Sequence, residues 1–250
     1  MPHDGLTALL ARAERILAFT GAGVSTASKI PDFRGPDGVW HTRTPVEYPA
    51  FMRSEEARVE YWSWKREGHA LFRDAKPNAA HHALVALERL GKLEALVTQN
   101  VDGLHRAAGT APEKLVELHG TNAESVCTGC ARREPIAVAL EAFGRTGAAP
   151  VCSVCAALLK PGVVMFGESL DPETMRRAST AARRADFVIS LGSSLLVTPA
   201  ADVPLLAARR GVPYVIVNRG ATPHDSVAEL VIDDDVGTVL EAAVAALGTS

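Results

Sequence analysis

The chain has 250 residues, 47% hydrophobic and 22% charged, which is the make-up of a water-soluble globular protein with a sizeable core. A net charge of −3 excludes a global basic footprint for nucleic acid or for an anionic membrane surface. The N-terminus lacks the basic-then-apolar layout of a signal peptide, and the longest apolar-leaning run, 187–201, is broken by Gly192, Ser193, Ser194 and Pro199, so a cytoplasmic protein without membrane spans is expected.

In chain order, strands are expected at 15–19, 93–98, 114–118, 186–191, 213–218 and 228–232. All are mostly apolar on both faces, as buried parallel strands are. A helix fits 78–90, with Pro77 and Asn78 at its start, Gly91 as its stop, and Ala80, Ala83, Leu84 and Leu87 as its apolar stripe. Further helices fit 171–184, 200–210 and 236–247. Strands alternating with helices argue for an α/β fold, a Rossmann-like doubly wound parallel sheet. Two regions break the alternation. Residues 31–76 are rich in Pro, Gly, Trp and charged groups, and 121–162 hold all four cysteines without long apolar strands. Both are expected to form a small inserted lobe, leaving 1–30, 77–120 and 163–250 as the larger domain.

Cys127 and Cys130 form one C-x-x-C pair and Cys152 and Cys155 a second, with 21 residues between them. Four thiolates suit tetrahedral zinc, although this spacing is slightly above the usual zinc-ribbon range of about 15–20. Four protein ligands leave no open position, so the expected zinc is structural. A small lobe with little core needs such a staple.

The stretch "AFTGAGVSTASKIPDFRG" follows the first strand. Gly21 and Gly23 are expected to let backbone N–H groups approach a pyrophosphate at a helix N-terminus. Thr26 stands where a dinucleotide fingerprint has its third glycine, and no acidic residue follows about 20 positions on. An ordinary hydride-transfer dehydrogenase is therefore disfavoured. Asp32, Phe33 and Arg34 follow, and the Arg34 guanidinium can pair with phosphate bidentately. The strand 93–98 ends in Gln99, Asn100, Val101 and Asp102, which can form a turn or meet a ligand at a strand's carboxyl end.

"GAGVSTASKIPDFRG", "TQNVDGLH", "LHG", the paired C-x-x-C, "VVMFGE", "LGSSL" and "VIVN" occur in the order found in sirtuins, the NAD-dependent protein lysine deacylases. The chain resembles that family from about residue 12 to residue 247. The resemblance implies a Rossmann-like domain, a small zinc lobe and an acyl-lysine tunnel between them. It implies NAD as a consumed co-substrate, with the acyl group passing to ADP-ribose and nicotinamide released. His119 matches the catalytic histidine, and an imidazole suits a general base near neutral pH. Asn100 matches a residue holding a ribose hydroxyl or an ordered water. Gly21, Ala22, Gly23, Ser25, Asp32, Phe33, Arg34, Gln99, Val101, Asp102, Gly192, Ser193 and Ser194 match the cofactor contacts, with Asn218, Arg219 and Val236 toward the adenosine half. Residues 162–168, including Val163, Val164, Phe166, Gly167 and Glu168, resemble the strand that pairs with an extended acyl-lysine peptide. His105 has no matching role, and His81 and His82 read as exposed helix positions.

Relatives of this kind that remove succinyl or malonyl groups carry Tyr-x-x-Arg on the small lobe. Here Trp62 and Lys65 align there, or Tyr61 and Trp64 one residue earlier, and neither register supplies both groups. Lys65 lacks the bidentate fork, so deacetylation is expected to dominate. Lys29 stands where the family usually has glycine, so a loop before Pro31 that is differently shaped or less mobile is expected. Two rival readings share the NAD site: a mono-ADP-ribosyltransferase, and a non-catalytic NAD sensor or zinc scaffold, the latter disfavoured by His119 and Asn100.

Overall fold

The computed structural model describes residues 2–35 and 38–248. Its larger sheet is built from β1 (Ile16–Thr20), β2 (Leu93–Thr98), β3 (Leu115–Glu117), β7 (Phe187–Leu191), β8 (Tyr214–Val217) and β9 (Leu230–Ile232). Three further strands, β4 (Gly120–Cys127), β5 (Arg133–Pro135) and β6 (Leu159–Val163), form a separate antiparallel sheet. The large sheet is parallel throughout and runs in the order β3-β2-β1-β7-β8-β9. With the small sheet set aside this is the doubly wound dinucleotide-binding order, and the strand order reverses between β1 and β7.

Continuous apolar sequence makes these strands because both faces are covered. Ile16 and Ala18 face a cluster containing Leu6, Leu10, Leu84, Leu87 and Leu240. Those side chains come from α1 (Pro2–Arg12), α4 (Ala79–Arg89) and α9 (Val236–Leu247). Leu17 and Phe19 face the opposite way, toward Ala178, Ala182, Val203 and Ala207 of α7 (Pro172–Arg184) and α8 (Asp202–Ala208). Short polar side chains start the helices by accepting orphan N–H groups: Asn78 from Ala80, Asp171 from Thr174 and Asp235 from Thr238. The helix expected at 200–210 is shorter, because residues 199–201 turn before Asp202 begins it.

A second core gathers Phe51, Tyr61, Trp62, Ile136, Leu140, Phe143, Leu159 and Met165 together with Cys127 and Cys152. It is made by α2 (Tyr48–Arg53), α3 (Glu55–Asp74), α6 (Ile136–Thr146) and the β4–β5–β6 sheet. The remaining short helix is α5 (Leu104–Ala108), after β2. The expected strand at 162–168 is corrected: β6 stops at Val163, and 166–168 turn, with Gly167 at a φ of 78°. Among the described residues no helix is long and apolar enough to cross a membrane.

Candidate active site

A cleft of about 1430 Å³ opens at the carboxyl ends of β1, β2, β7 and β8 and is closed on its other side by α3 and the 163–168 segment. It is the crevice that the strand reversal between β1 and β7 creates. Its wall includes Gly21, Ala22, Gly23, Asp32, Phe33, Arg34, Gln99, Asn100, Val101, His119, Gly192, Ser193, Ser194, Asn218, Arg219 and Val236. Val163, Val164, Phe166, Gly167, Glu168 and Lys65 line it from the other side.

The glycines after β1 have a packing role of their own. A Cβ on Gly21 would lie 2.7 Å from Gly192 O, and one on Gly23 2.8 Å from Gly192 Cα. Gly192 has a φ of 58°, and a Cβ there would sit 2.5 Å from Val24 N. The three glycines let the two loops at the strand reversal touch. The Gly21 N–H donates to Leu191 O (3.0 Å) and the Gly23 N–H to Gly192 O (2.8 Å). Both of these N–H groups are committed within the protein, while Ala22 lies between them on the cleft wall. The segment after β1 is two 3₁₀ turns, Ala22–Val24 and Thr26–Ser28. It ends at Lys29, whose φ of 66° is left-handed. The backbone there is the one glycine favours, and a lysine holds it at a cost of about 1 kcal/mol.

The floor is organised from behind. The Asn100 amide nitrogen donates to Gly21 O (3.0 Å) and Ser25 Oγ (3.2 Å), which turns its oxygen away from both. The Ser25 hydroxyl donates to Asp102 (2.8 Å), which also accepts from the Leu104 N–H (2.8 Å). Burial raises the Asp102 pKa, and these two hydrogen bonds oppose the rise. Ser25 and Asp102 therefore stand behind Asn100 and do not line the cleft, unlike the other expected cofactor contacts. Gln99 accepts from the Ser193 hydroxyl (2.7 Å), tying the β2 end to the loop after β7.

His119 lies where β3 passes into β4. Its Nδ1 is 2.9 Å from Gln99 O, and a carbonyl can only accept, so the proton is on Nδ1 and Nε2 carries a free lone pair. Burial holds its pKa below the ordinary histidine value, opposed by the hydrogen bond to Gln99. The imidazole is thus neutral, fixed in one tautomer and able to take a proton. The Val164 N–H donates to His119 O (2.8 Å), so the histidine and the 163–168 segment are positioned together.

Aromatic rings form the outer wall. Phe33 stacks on Trp40 with centroids 5.2 Å apart, and Trp40 meets Trp64 and the edge of Phe166, each at 5.9 Å. Trp40 escaped the sequence reading; its only signal was a large ring in a Pro- and Gly-rich stretch. On α3, Tyr61, Trp64 and Lys65 face the cleft, whereas Trp62 is fully buried in the second core. The substrate contact expected of Trp62 is thereby corrected, since the helix points that ring inward. Lys65 donates to Asn122 Oδ1 (2.6 Å), and burial, with nearby Lys160, lowers its pKa to about 7. At the far end Arg219 pairs with Asp235 (3.3 Å), the cap of α9.

Away from the cleft, the sulfurs of Cys127, Cys130, Cys152 and Cys155 all lie within 4.8 Å of one another. Each pair sits on a tight turn: the Ala131 N–H donates to Cys127 O (3.1 Å) and the Ala156 N–H to Cys152 O (2.9 Å). Both alanines have a φ near 60°, at 58° and 59°. The Gly129 and Cys130 N–H groups point at the Cys127 sulfur and lower its pKa, as a thiolate ligand requires. Four soft donors so grouped fit one tetrahedral zinc with no open position.

Comparison with known proteins agrees with this arrangement. The Sir2 family pattern matches residues 21–199. An NAD-dependent protein deacetylase of Rhodopseudomonas palustris is 42% identical over 232 residues, covering 93% of this chain and 92% of that protein. NAD-dependent protein deacetylase 2 of Streptomyces coelicolor is 42% identical, covering 93% and 98%. A solved Sir2 complex with a p53 peptide and NAD+ superimposes with a TM-score of 0.90 at 36% identity, covering 100% of both chains. Another, with a deacetylated p53 peptide and 3′-O-acetyl ADP-ribose, also gives 0.90, at 37% identity and 99% coverage of both. With the doubly wound sheet, the cleft at its strand reversal and the four-cysteine cluster in one chain, this protein belongs to the Sir2 family.

Proposed function

We propose that the protein is an NAD-dependent protein lysine deacylase, acting mainly as a deacetylase. The observation that carries this reading is His119, a neutral imidazole locked by Gln99 O beside Asn100, in one cleft with the 163–168 segment. The names of its relatives and the peptide, NAD+ and acetyl ADP-ribose in the superimposable complexes support it.

In this reading the bond between nicotinamide and ribose breaks, the acyl oxygen of acyl-lysine bonds to the ribose carbon, and nicotinamide leaves. The Asn100 oxygen holds a ribose hydroxyl or a water. His119 Nε2 takes the proton from the ribose hydroxyl that then attacks the acyl carbon, lysine leaves as the protonated amine, and one water adds to the cyclic acyl cation so that the acyl group stays on ADP-ribose as its ester. Such a base contributes about 10²–10⁴-fold. Gln99, Ser193 and Asn100 shape the nicotinamide side, with Ser25 and Asp102 supporting Asn100. Asn218, Arg219 and the start of α9 serve the adenosine half. An extended peptide pairs with backbone near 163–167, and the aromatic wall encloses the acyl-lysine stem.

The two-lobed division, with 31–76 and 121–162 as the inserted lobe, belongs to the same proposal, as does a structural zinc on the four cysteines. A cytoplasmic location is consistent with cysteines grouped for metal rather than as disulfides. Acetyl preference rests on Lys65, whose ammonium is already committed to Asn122 and whose pKa is lowered, so it is poorly placed to hold an acyl carboxylate.

Incubation with NAD and acetyl-peptide, followed by mass spectrometry, tests the proposal. O-acetyl-ADP-ribose is expected, and His119→Ala should lose at least about 100-fold in turnover. ADP-ribosylated protein without deacetylation would favour a mono-ADP-ribosyltransferase, and unchanged NAD a sensor.

A further inference from the structure

The cations of the cleft divide into two kinds. Arg219 is paired with Asp235, and Lys65 is held by Asn122. Lys29 and Arg34 are exposed, line the same cleft, and have no side-chain hydrogen bond or ion pair among the described residues. They stand five positions apart on the segment that leaves the second 3₁₀ turn.

Lys29 also occupies backbone that glycine would hold without strain, at a φ of 66°. Its neighbours impose that shape. The Lys29 N–H donates to Thr26 O (2.9 Å), the Ser28 hydroxyl to Lys76 O (2.6 Å), and the Asn78 amide to both Val24 O and Ser28 Oγ (2.9 Å each). A side chain kept at a strained position beside a cleft points to a task for that side chain.

The task follows from what the glycine loop lacks. The Gly21 and Gly23 N–H groups are bonded to Leu191 O and Gly192 O, and residues 21–28 carry no charged side chain. A dinucleotide brings two phosphate charges into this cleft, and an unpaired cation on the cleft wall offsets charge that neutral N–H donors there leave uncompensated.

We propose that Lys29 is a binding residue for the pyrophosphate of the dinucleotide, acting with Arg34 from the opposite end of the same loop. This inference rests on the NAD-dependent reading above and assigns its diphosphate contact.

Titration calorimetry of the zinc-loaded full chain with ADP-ribose tests it, with adenosine as a control lacking phosphate. Lys29→Gly should raise Tm by about 2–4 °C by relieving the backbone. The same variant should weaken ADP-ribose binding about tenfold at low salt and flatten its salt dependence. Lys29→Met should weaken ADP-ribose equally without the gain in Tm, and Lys29→Arg should bind within about twofold of the parent. Adenosine should bind all four proteins alike. ADP-ribose binding unchanged in Lys29→Gly and Lys29→Met would overturn the inference while leaving the NAD-dependent reading standing. A parent protein that fails to bind ADP-ribose at all would overturn both.

Discussion

Behind the Asn100 floor, His81 and His105 face each other with ring centroids 4.7 Å apart. The Asn78 N–H points at His81 Nδ1 (3.3 Å), so the His81 proton is on Nε2. The Thr20 hydroxyl donates to Thr98 (2.7 Å) and therefore accepts from His105 Nε2 (2.9 Å), which leaves His105 Nδ1 as an acceptor. Thr98 in turn accepts from the Asn100 N–H (3.0 Å). His81 is fully buried, contrary to its reading as an exposed helix position, because it borders the α4 stripe and its ring folds back over the helix start. Burial, with a smaller contribution from His82, lowers the His81 pKa to about 4; burial and His81 also hold that of His105 well below the ordinary histidine value. Both rings are neutral when folded and can charge when unfolded. Between about pH 4 and the unfolded value near 6.5 the unfolded chain binds more protons, so stability rises with pH across that window and is complete above it. At pH 5 His81 should cost up to about 2 kcal/mol relative to pH 7.5, and His105 adds to the loss in the same direction. Urea unfolding at the two pH values should show a steep loss for the parent chain and a flatter one for His81→Asn with His105→Asn. Equal pH slopes in the two proteins would refute this account.

The 163–168 segment shows how an element is held by residues outside it. Lys160, near the start of β6, reaches Val163 O (2.7 Å) and the Glu168 carboxylate (3.1 Å), and Glu168 accepts from the Met165 N–H (2.9 Å). A mostly buried ion pair thus closes the turn on which an extended peptide is proposed to dock. Lys160→Met leaves the Glu168 carboxylate without its cation, and with Glu168 partly exposed the cost should be up to about 3 kcal/mol. The KM for peptide should rise several-fold while the KM for NAD holds, as steady-state kinetics would reveal; an unchanged peptide KM in a folded variant would remove the positioning role. None of this was legible in the sequence, where Lys160 and Glu168 are eight positions apart and only geometry pairs them. What was legible has a local cause. The run 93–98 reads as buried on both faces and is β2, and 236–247 carries its cap and is α9. The small sheet was not, since β4 is largely polar and its pairing with β6 is long-range. The wall of α3 was half legible: Tyr61, Trp62, Trp64 and Lys65 surround the helix, and no periodicity tells which ring turns inward. Strand-end motifs placed the cleft, but the supporting posts of Ser25 and Asp102 depend on side-chain direction.

At the scale of the molecule, two cores meet along one cleft and differ in what sustains them. The doubly wound sheet buries apolar side chains on both faces and needs no staple. The second core is smaller, and two of its buried members, Cys127 and Cys152, belong to the four-sulfur cluster. A metal there ties β4 and the 152–155 turn to the packing of α3 and α6, and structural zinc in small folds is worth about 10–16 kcal/mol at neutral pH. Removing it should loosen the second core first and, through the 163–168 turn and the α3 wall, abolish peptide turnover while the large sheet persists. Chelation at neutral pH, or Cys155→Ser, is expected to give one zinc lost per chain by atomic absorption and new dye-accessible apolar surface. Far-ultraviolet circular dichroism should retain most of its signal, with an early, low-temperature transition preceding the main one. ADP-ribose should still raise the main transition, since most of its proposed contacts lie at the carboxyl ends of β1, β2, β7 and β8. Full peptide turnover in zinc-free protein would refute the dependence of the cleft on the metal, and a single cooperative loss of all structure would refute the independence of the sheet.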